Sequence, residues 1–473
     1  MSHPSHASQP SPTPQAASFS TCPDFHALRE AIVDKQLHQA PNAVMAGVLD
    51  EAAEVARSEA SLHVFMHDPS TMLRGAAQAL RASRENPDTA SQPLYGLPVS
   101  VKDLFDIEGQ TTLAGSIALE GAPAAAEDCP AVARLKAAGA VLSGRTNMVE
   151  FAFSGVGINP HYGTPINPAD RSIARIPGGS SSGAVVSVAT GSAWMALGSD
   201  TGGSLRIPAA LCGVVGFKST ARLVPAQGAV PLSTSLDTVG AITRSVRDAV
   251  TAHEVLAARK IGLAGKPLSA CRFAVARHTL LDGLDDAVAR AFDASLRALS
   301  AAGARIVEIP LDEIGDLAAI NATGGLSAAE SYAWHRQLIA RKQSQYDPRV
   351  ALRILRGATM SAADYIDLVA NRRAWIARME ARLQGFDAVL SPTVPLIAPP
   401  IADLLDNDAE FFRVNGLLLR NTSVVNMLDG CAISLPCQAA GELPVGLMVW
   451  HAALHDDAVL DVALQVEAAL AGR

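Results

Sequence analysis

Three residues of this chain have the types and settings that acyl chemistry needs. Lys102 is the next-to-last residue of the segment YGLPVSVKD, Ser180 sits inside PGGSSSG, and Ser204 sits inside GSDTGGSLRIP. The two serines are 204 − 180 = 24 positions apart, each flanked by glycine. An unactivated serine hydroxyl is a poor nucleophile, so it must have a base within reach and a site for the oxyanion it creates. The TGGS run answers the second need. With little side-chain bulk at Gly202 and Gly203, the backbone N–H groups of Thr201, Gly202, Gly203 and Ser204 can turn toward one point. Such donors contribute about 3 kcal/mol each to a transition state.

A histidine base is poorly supported. His161 is the sole histidine between residues 68 and 252, and no GxSxG elbow surrounds Ser204. A lysine serves instead if burial lowers its pKa from about 10.4 toward neutrality, and Lys102 stands between Val101 and Leu104-Phe105. Ser180 would then carry a proton between a distant amine and a short serine. Taken singly, PGGSSSG reads as a turn or an anion nest, and Lys102 as a solvated strand end. Together they read as a site. Glu150, Asp103, Asp106 and Asp128 share no spacing that makes them converge, and are read as capping or surface charges. His161 with Tyr162, and Asn147 with Met148, Phe151 and Phe153, suit either a pocket wall or core packing. Trp334, Met427 and residues 398–420 are expected to shape the acyl side.

These segments resemble the amidase signature family, whose defining stretch runs here from about Pro177 to Pro208. Its wider pattern is matched by GLPVSVKD, GRTNMVEFA and LPVGLMV, over most of residues 94–218 and the C-terminal part. The resemblance implies Ser204 as the nucleophile, Ser180 as a bridging serine on a cis peptide bond, and Lys102 as general base and later acid. It also implies oxyanion donors at the backbone of Thr201, Gly202, Gly203 and Ser204, and neither a metal nor an organic cofactor. Asp200 and Arg206 are expected to pair and, with Ser181, to support the loop. One departure is Ser182, where the family often has glycine. The implied reaction is cleavage of the C–N bond of a small amide through an acyl-enzyme, releasing ammonia or an amine and a carboxylate. Two other readings stand beside it: the glutaminase A-subunit of a tRNA-dependent amidotransferase, and an inactive binding protein on the same fold.

The elements that must position these residues follow from periodicity. Residues 97–105 suit a strand tipped by Lys102, 131–139 a helix, and 140–147 a strand, which is a β-α-β rhythm. A helix over 184–191 and a strand over 193–200 put both serines at strand–helix junctions. Further helices are expected over 286–303, 326–344, 361–384 and 456–471, and strands over 304–311, 387–393, 431–437 and 445–451. The fold expected is one large α/β domain over 22–473, with a mixed, mostly parallel sheet covered by helices on both faces. Within it fall N-terminal helices at 25–90, a catalytic core at about 94–260 and a variable substrate region at about 310–430. Residues 1–21 are rich in Ser, Pro and Ala and read as a disordered tail.

Composition bounds the rest. At 473 residues, 49% hydrophobic and 18% charged, the chain can bury a large core. A net charge of −8 with no basic run argues against a nucleic-acid groove. The six cysteines are scattered without metal-ligand spacing, and no apolar stretch reaches the ~18 residues of a membrane span. A cytoplasmic enzyme acting on a small amide is expected, with a homodimer among the states left open.

Overall fold

Short runs rich in Val, Ile and Ala, each closed by Gly, Pro or a polar residue, form the strands. They are β1 Pro98–Lys102, β2 Val141–Thr146, β3 Met195–Asp200, β4 Val215–Lys218, β5 Thr238–Thr243, β6 Arg272–Ala276, β7 Arg305–Ile309, β8 Ala388–Pro392, β9 Cys431–Pro436 and β10 Gly446–His451. The computed structural model describes residues 22–33, 40–84, 86, 91–277 and 279–471; the expected tail over 1–21 lies outside them. All ten strands join one sheet in the order β2-β1-β3-β5-β4-β9-β10-β8-β6-β7.

The sheet is mixed, and parallel pairing is narrower than expected. β2, β1 and β3 run parallel at one end, and β8, β6 and β7 at the other. The five pairs between them are antiparallel. The reason lies in the connections. Only a long crossover returns a chain parallel to its start. β9 and β10 are joined by a short link, and β4 and β5 by a loop with only a 3-10 turn, Ala221–Leu223.

Both faces are covered by helices, which is why most strands are buried throughout. Strand alternation sorts the side chains. Leu447 and Val449 of β10 pack with Val459, Val462 and Val466 of the closing helix Asp456–Ala471. Met448 and Trp450 face the other way, toward Trp375 and Met379 of helix Ala362–Leu383 and Val424 and Val425 of helix Asp408–Met427. At the opposite end, Val99 and Val101 of β1 join an apolar cluster with the N-terminal helices. Ser100 points away and shares a 2.8 Å hydrogen bond with Ser187 of helix Ser182–Thr190. Lys102, two residues on, shares that side of the strand.

Candidate active site

Lys102 is the last residue of β1 and has no exposed surface. Its Nζ lies 2.8 Å from Ser180 Oγ and 2.8 Å from Ser199 Oγ, donating to both. Burial pushes its pKa down to about 7, against the opposing pull of the Asp237 and Asp200 carboxylates. Ser180 is reached because the loop before helix Ser182–Thr190 folds closely onto its neighbours. The Gly179–Ser180 peptide is cis. A Cβ on Gly179 would stand 2.8 Å from the backbone N of Gly157, and one on Gly183 2.3 Å from Val64 O. Ser181 donates weakly to Ser199 O at 3.4 Å, which ties this loop to β3. The Ser182 hydroxyl is buried without a partner among the described residues.

Beyond Ser199 the chain leaves β3 and turns through residues 201–204 into helix Arg206–Cys212. The N–H groups of Gly202, Gly203 and Ser204 form no hydrogen bond to a protein acceptor among the described residues. Gly203 has φ +141°, and a Cβ there would meet Thr422 Oγ1 at 2.3 Å. Only glycine fits. Thr422 lies so close because its hydroxyl donates to Gly202 O at 2.6 Å. Thr201 Oγ1 donates to Asp237, whose carboxylate also accepts from the N–H groups of Leu232 and Ser233. Burial raises the Asp237 carboxyl to about 6.

Asp200 and Arg206 brace this turn from beneath. Arg206 Nη2 and Nε reach the two Asp200 oxygens at 2.9 and 3.0 Å, and both side chains are fully buried. Asn426 donates to Asp200 Oδ1 at 2.9 Å and accepts from Arg206 at 2.7 Å. Burial opposes ionisation of Asp200, yet the guanidinium and its hydrogen bonds win, holding the carboxyl down at about 2. The N–H of Leu205 adds a further donor to the same carboxylate.

Ser204 opens into a cavity of about 300 Å³, with Thr201 and Gly202 beside it. Phe153, Leu419, Met427, Arg353 and Arg356 are among the other walls. Met427 and Phe153 therefore face the cavity, as does part of the 398–420 segment through Leu419. Trp334 does not; it packs against Phe151 and His335. His161 bonds to Glu150, whose carboxylate raises the imidazole pKa, and Asn147 ties the backbones of His63 and Gly163 together. Among the four acids, Asp128 is a surface partner of Lys136, but Asp103 and Glu150 are fully buried. Each is hydrogen-bonded where it lies, Asp103 to Arg145 and the Gly115 N–H, Glu150 to Ser116 and the Asp347 N–H.

The Amidase family model matches residues 44–460. The chain belongs to the amidase family. It is 37% identical over 422 residues to a 2-amino-5-chloromuconic acid deaminase of Comamonas testosteroni, covering 87% of this chain and 90% of that protein. The A-subunit of a glutamyl-tRNA(Gln) amidotransferase from Koribacter versatilis is 33% identical, over 80% of this chain and 85% of its own. A solved amidase structure superposes with a TM-score of 0.81 at 33% identity, covering 94% of this chain and all of that one. As a member of the amidase family the chain is a hydrolase of carbon–nitrogen bonds acting on amides.

Within this amidase, Asp237, Thr422 and Asn426 support the site from outside the sequence motifs, and Ser199, inside GSDTGGSLRIP, was given no role by them. Thr422 and Asn426 lie on helix Asp408–Met427, together with buried Asn415. The spacings 415, 422 and 426 fall on one helical face, so polar residues repeating on an otherwise apolar face were the signal available. Among the described residues, no group of three or more His, Cys, Asp or Glu could hold a metal ion, and no helix is long and apolar enough to cross a membrane.

Proposed function

We propose that this amidase hydrolyses a small amide through Ser204, Ser180 and Lys102. The observation that carries the reading is the contact between the buried Lys102 amine and Ser180 Oγ, with the lysine pKa brought to about 7. Near neutral pH a large share of Lys102 is uncharged, and its lone pair accepts a proton; the contact to Ser180 then runs from hydroxyl to amine. Ser204 Oγ makes no hydrogen bond among the described residues and faces the cavity. In the reacting complex it bonds to Ser180, as catalytic contacts commonly tighten only once substrate is bound.

Ser204 Oγ attacks the amide carbon, and its proton passes to Ser180 while the Ser180 proton passes to Lys102. The carbonyl oxygen becomes an oxyanion facing the N–H groups of residues 201–204. The Lys102 ammonium returns a proton through Ser180 to the departing nitrogen, and ammonia or an amine leaves. Water then attacks the ester, giving its proton to the same relay; the Ser204 oxygen is reprotonated and a carboxylate is released. Asp200, Arg206 and Ser181 act as supports of the loops that carry these groups, and a cytoplasmic location fits the composition.

The glutaminase reading is less favoured, since identity to the deaminase exceeds identity to the amidotransferase chain. The inactive-protein reading gives no reason for a buried lysine held between two serines. Replacing Ser204 by Ala is expected to abolish ammonia release from amides, and labelling by a fluorophosphonate, without lowering the melting temperature appreciably. Retained turnover in that variant would sink the assignment.

A further inference from the structure

Among the described residues, the cavity beside Ser204 has two cations and no anion in its wall. Arg353 and Arg356 line it, and no described Asp or Glu does. The two lie three positions apart, on helix Pro348–Leu355 and the 3-10 turn that extends it, so they share a face. Arg349, one turn earlier, is already paired with Asp408. Arg353 and Arg356 form no ion pair among the described residues. Asp347 acts on Arg353 electrostatically but caps its own helix through the Arg349 N–H and does not reach the cavity.

Arg353 is held in place. One of its nitrogens donates to Phe153 O, and the guanidinium lies 5.5 Å from the ring centroids of both Phe153 and Phe412. Burial lowers its pKa to about 10, which leaves it cationic at neutral pH. A guanidinium has five N–H donors and no acceptor, so the bond to Phe153 leaves most of that capacity unused. A fixed, partly desolvated cation facing a cavity without a counterion is completed by an anionic ligand, and a planar fork matches a carboxylate. Leu232, Leu236, Leu317 and Leu419 supply apolar wall in the same cavity.

We propose that Arg353, with Arg356 at the rim, recognises a carboxylate, and that the substrate is a small amide bearing a free carboxylate, such as the half-amide of a short dicarboxylic acid. This rests on the amidase reading above. Neutral aliphatic and aryl amides are then poor substrates of the same site.

The test compares succinamate, glutaramate and adipamate with butyramide, valeramide and hexanamide, with ammonia release as readout. The best half-amide is expected to exceed its neutral counterpart about 10- to 100-fold in kcat/KM, as a charge-assisted contact would give. Arg353→Gln should bring that ratio close to one, and Arg353→Lys should restore part of it. Equal or better turnover of the neutral amides, or a ratio indifferent to Arg353→Gln, overturns the proposal. Should Arg353→Gln fail to fold, the exposed Arg356→Gln takes its place with a smaller expected fall. Where none of these amides is hydrolysed, calorimetry of the full chain with succinate, glutarate and adipate decides: binding that Arg353→Gln abolishes supports the proposal, and absence of binding overturns it. Failure of the amidase reading shows separately, as hydrolysis that survives Ser204→Ala.

Discussion

A lysine buried as deeply as Lys102 serves as a base only if folding makes its proton easy to lose. Its pKa near 7 means that kcat/KM should rise with pH through about 7 and level off above it. A profile flat between pH 6 and 8 would remove Lys102 as the titrating base. The same shift has a consequence for stability. Between about 7 and 10.5 the unfolded chain holds this proton and the folded chain does not, so the Lys102 contribution to stability increases with pH across that window. Lys102→Met should therefore gain more in melting temperature over the wild type at pH 6 than at pH 9, while losing about two or more orders of magnitude in kcat. At this scale Lys102, Ser180 and Ser204 stood out as candidates because glycine-rich runs and an odd lysine are locally conspicuous. Asp237 did not, since an isolated aspartate carries no mark of what the fold brings beside it, and Ser199, though inside GSDTGGSLRIP, gave no sign that it would meet Lys102.

At the scale of elements, the turn 201–204 owes its shape to a helix far along the chain, Asp408–Met427. Thr422 contacts it across 220 positions of sequence, and Asn426 contacts its flanking Asp200 across 226. Thr422→Val would leave Gly202 O without its partner, costing about 1–2 kcal/mol, and should lower kcat more than it raises KM. A rise in KM alone would mean that Thr422 touches substrate and not the turn. Arg206→Met would strand the Asp200 carboxylate in a dry interior, with an expected loss of about 3–5 kcal/mol in urea unfolding. A loss under about 1 kcal/mol would mean the pair is dispensable. The strands and helices around the motifs were readable from alternation and from glycine stops. Helix Asp408–Met427 was not, because its buried Asn415, Asn421, Thr422 and Asn426 interrupt the apolar periodicity that would reveal it.

For the whole molecule, one sheet links a site at the β1–β3 end to a core at the β6–β10 end. The two-ended parallel arrangement was not legible from helix–strand alternation alone, since β4 and β5 carry too few residues and no flanking helix between them to declare their direction. A continuous sheet predicts one unfolding event. Near-UV signals from the buried Trp375, on helix Ala362–Leu383, and Trp450, on β10, should be lost at the same temperature as enzyme activity. Two separated transitions would mean that the halves fold independently. Helix Asp408–Met427 bears on more than folding, for it both walls the cavity, through Leu419, Ser423 and Met427, and pins the turn 201–204 beside Ser204. Attempts to retrain the enzyme on bulkier compounds by mutating that helix would trade rate for selectivity, whereas libraries built on the facing wall, residues 317–328, leave the turn alone.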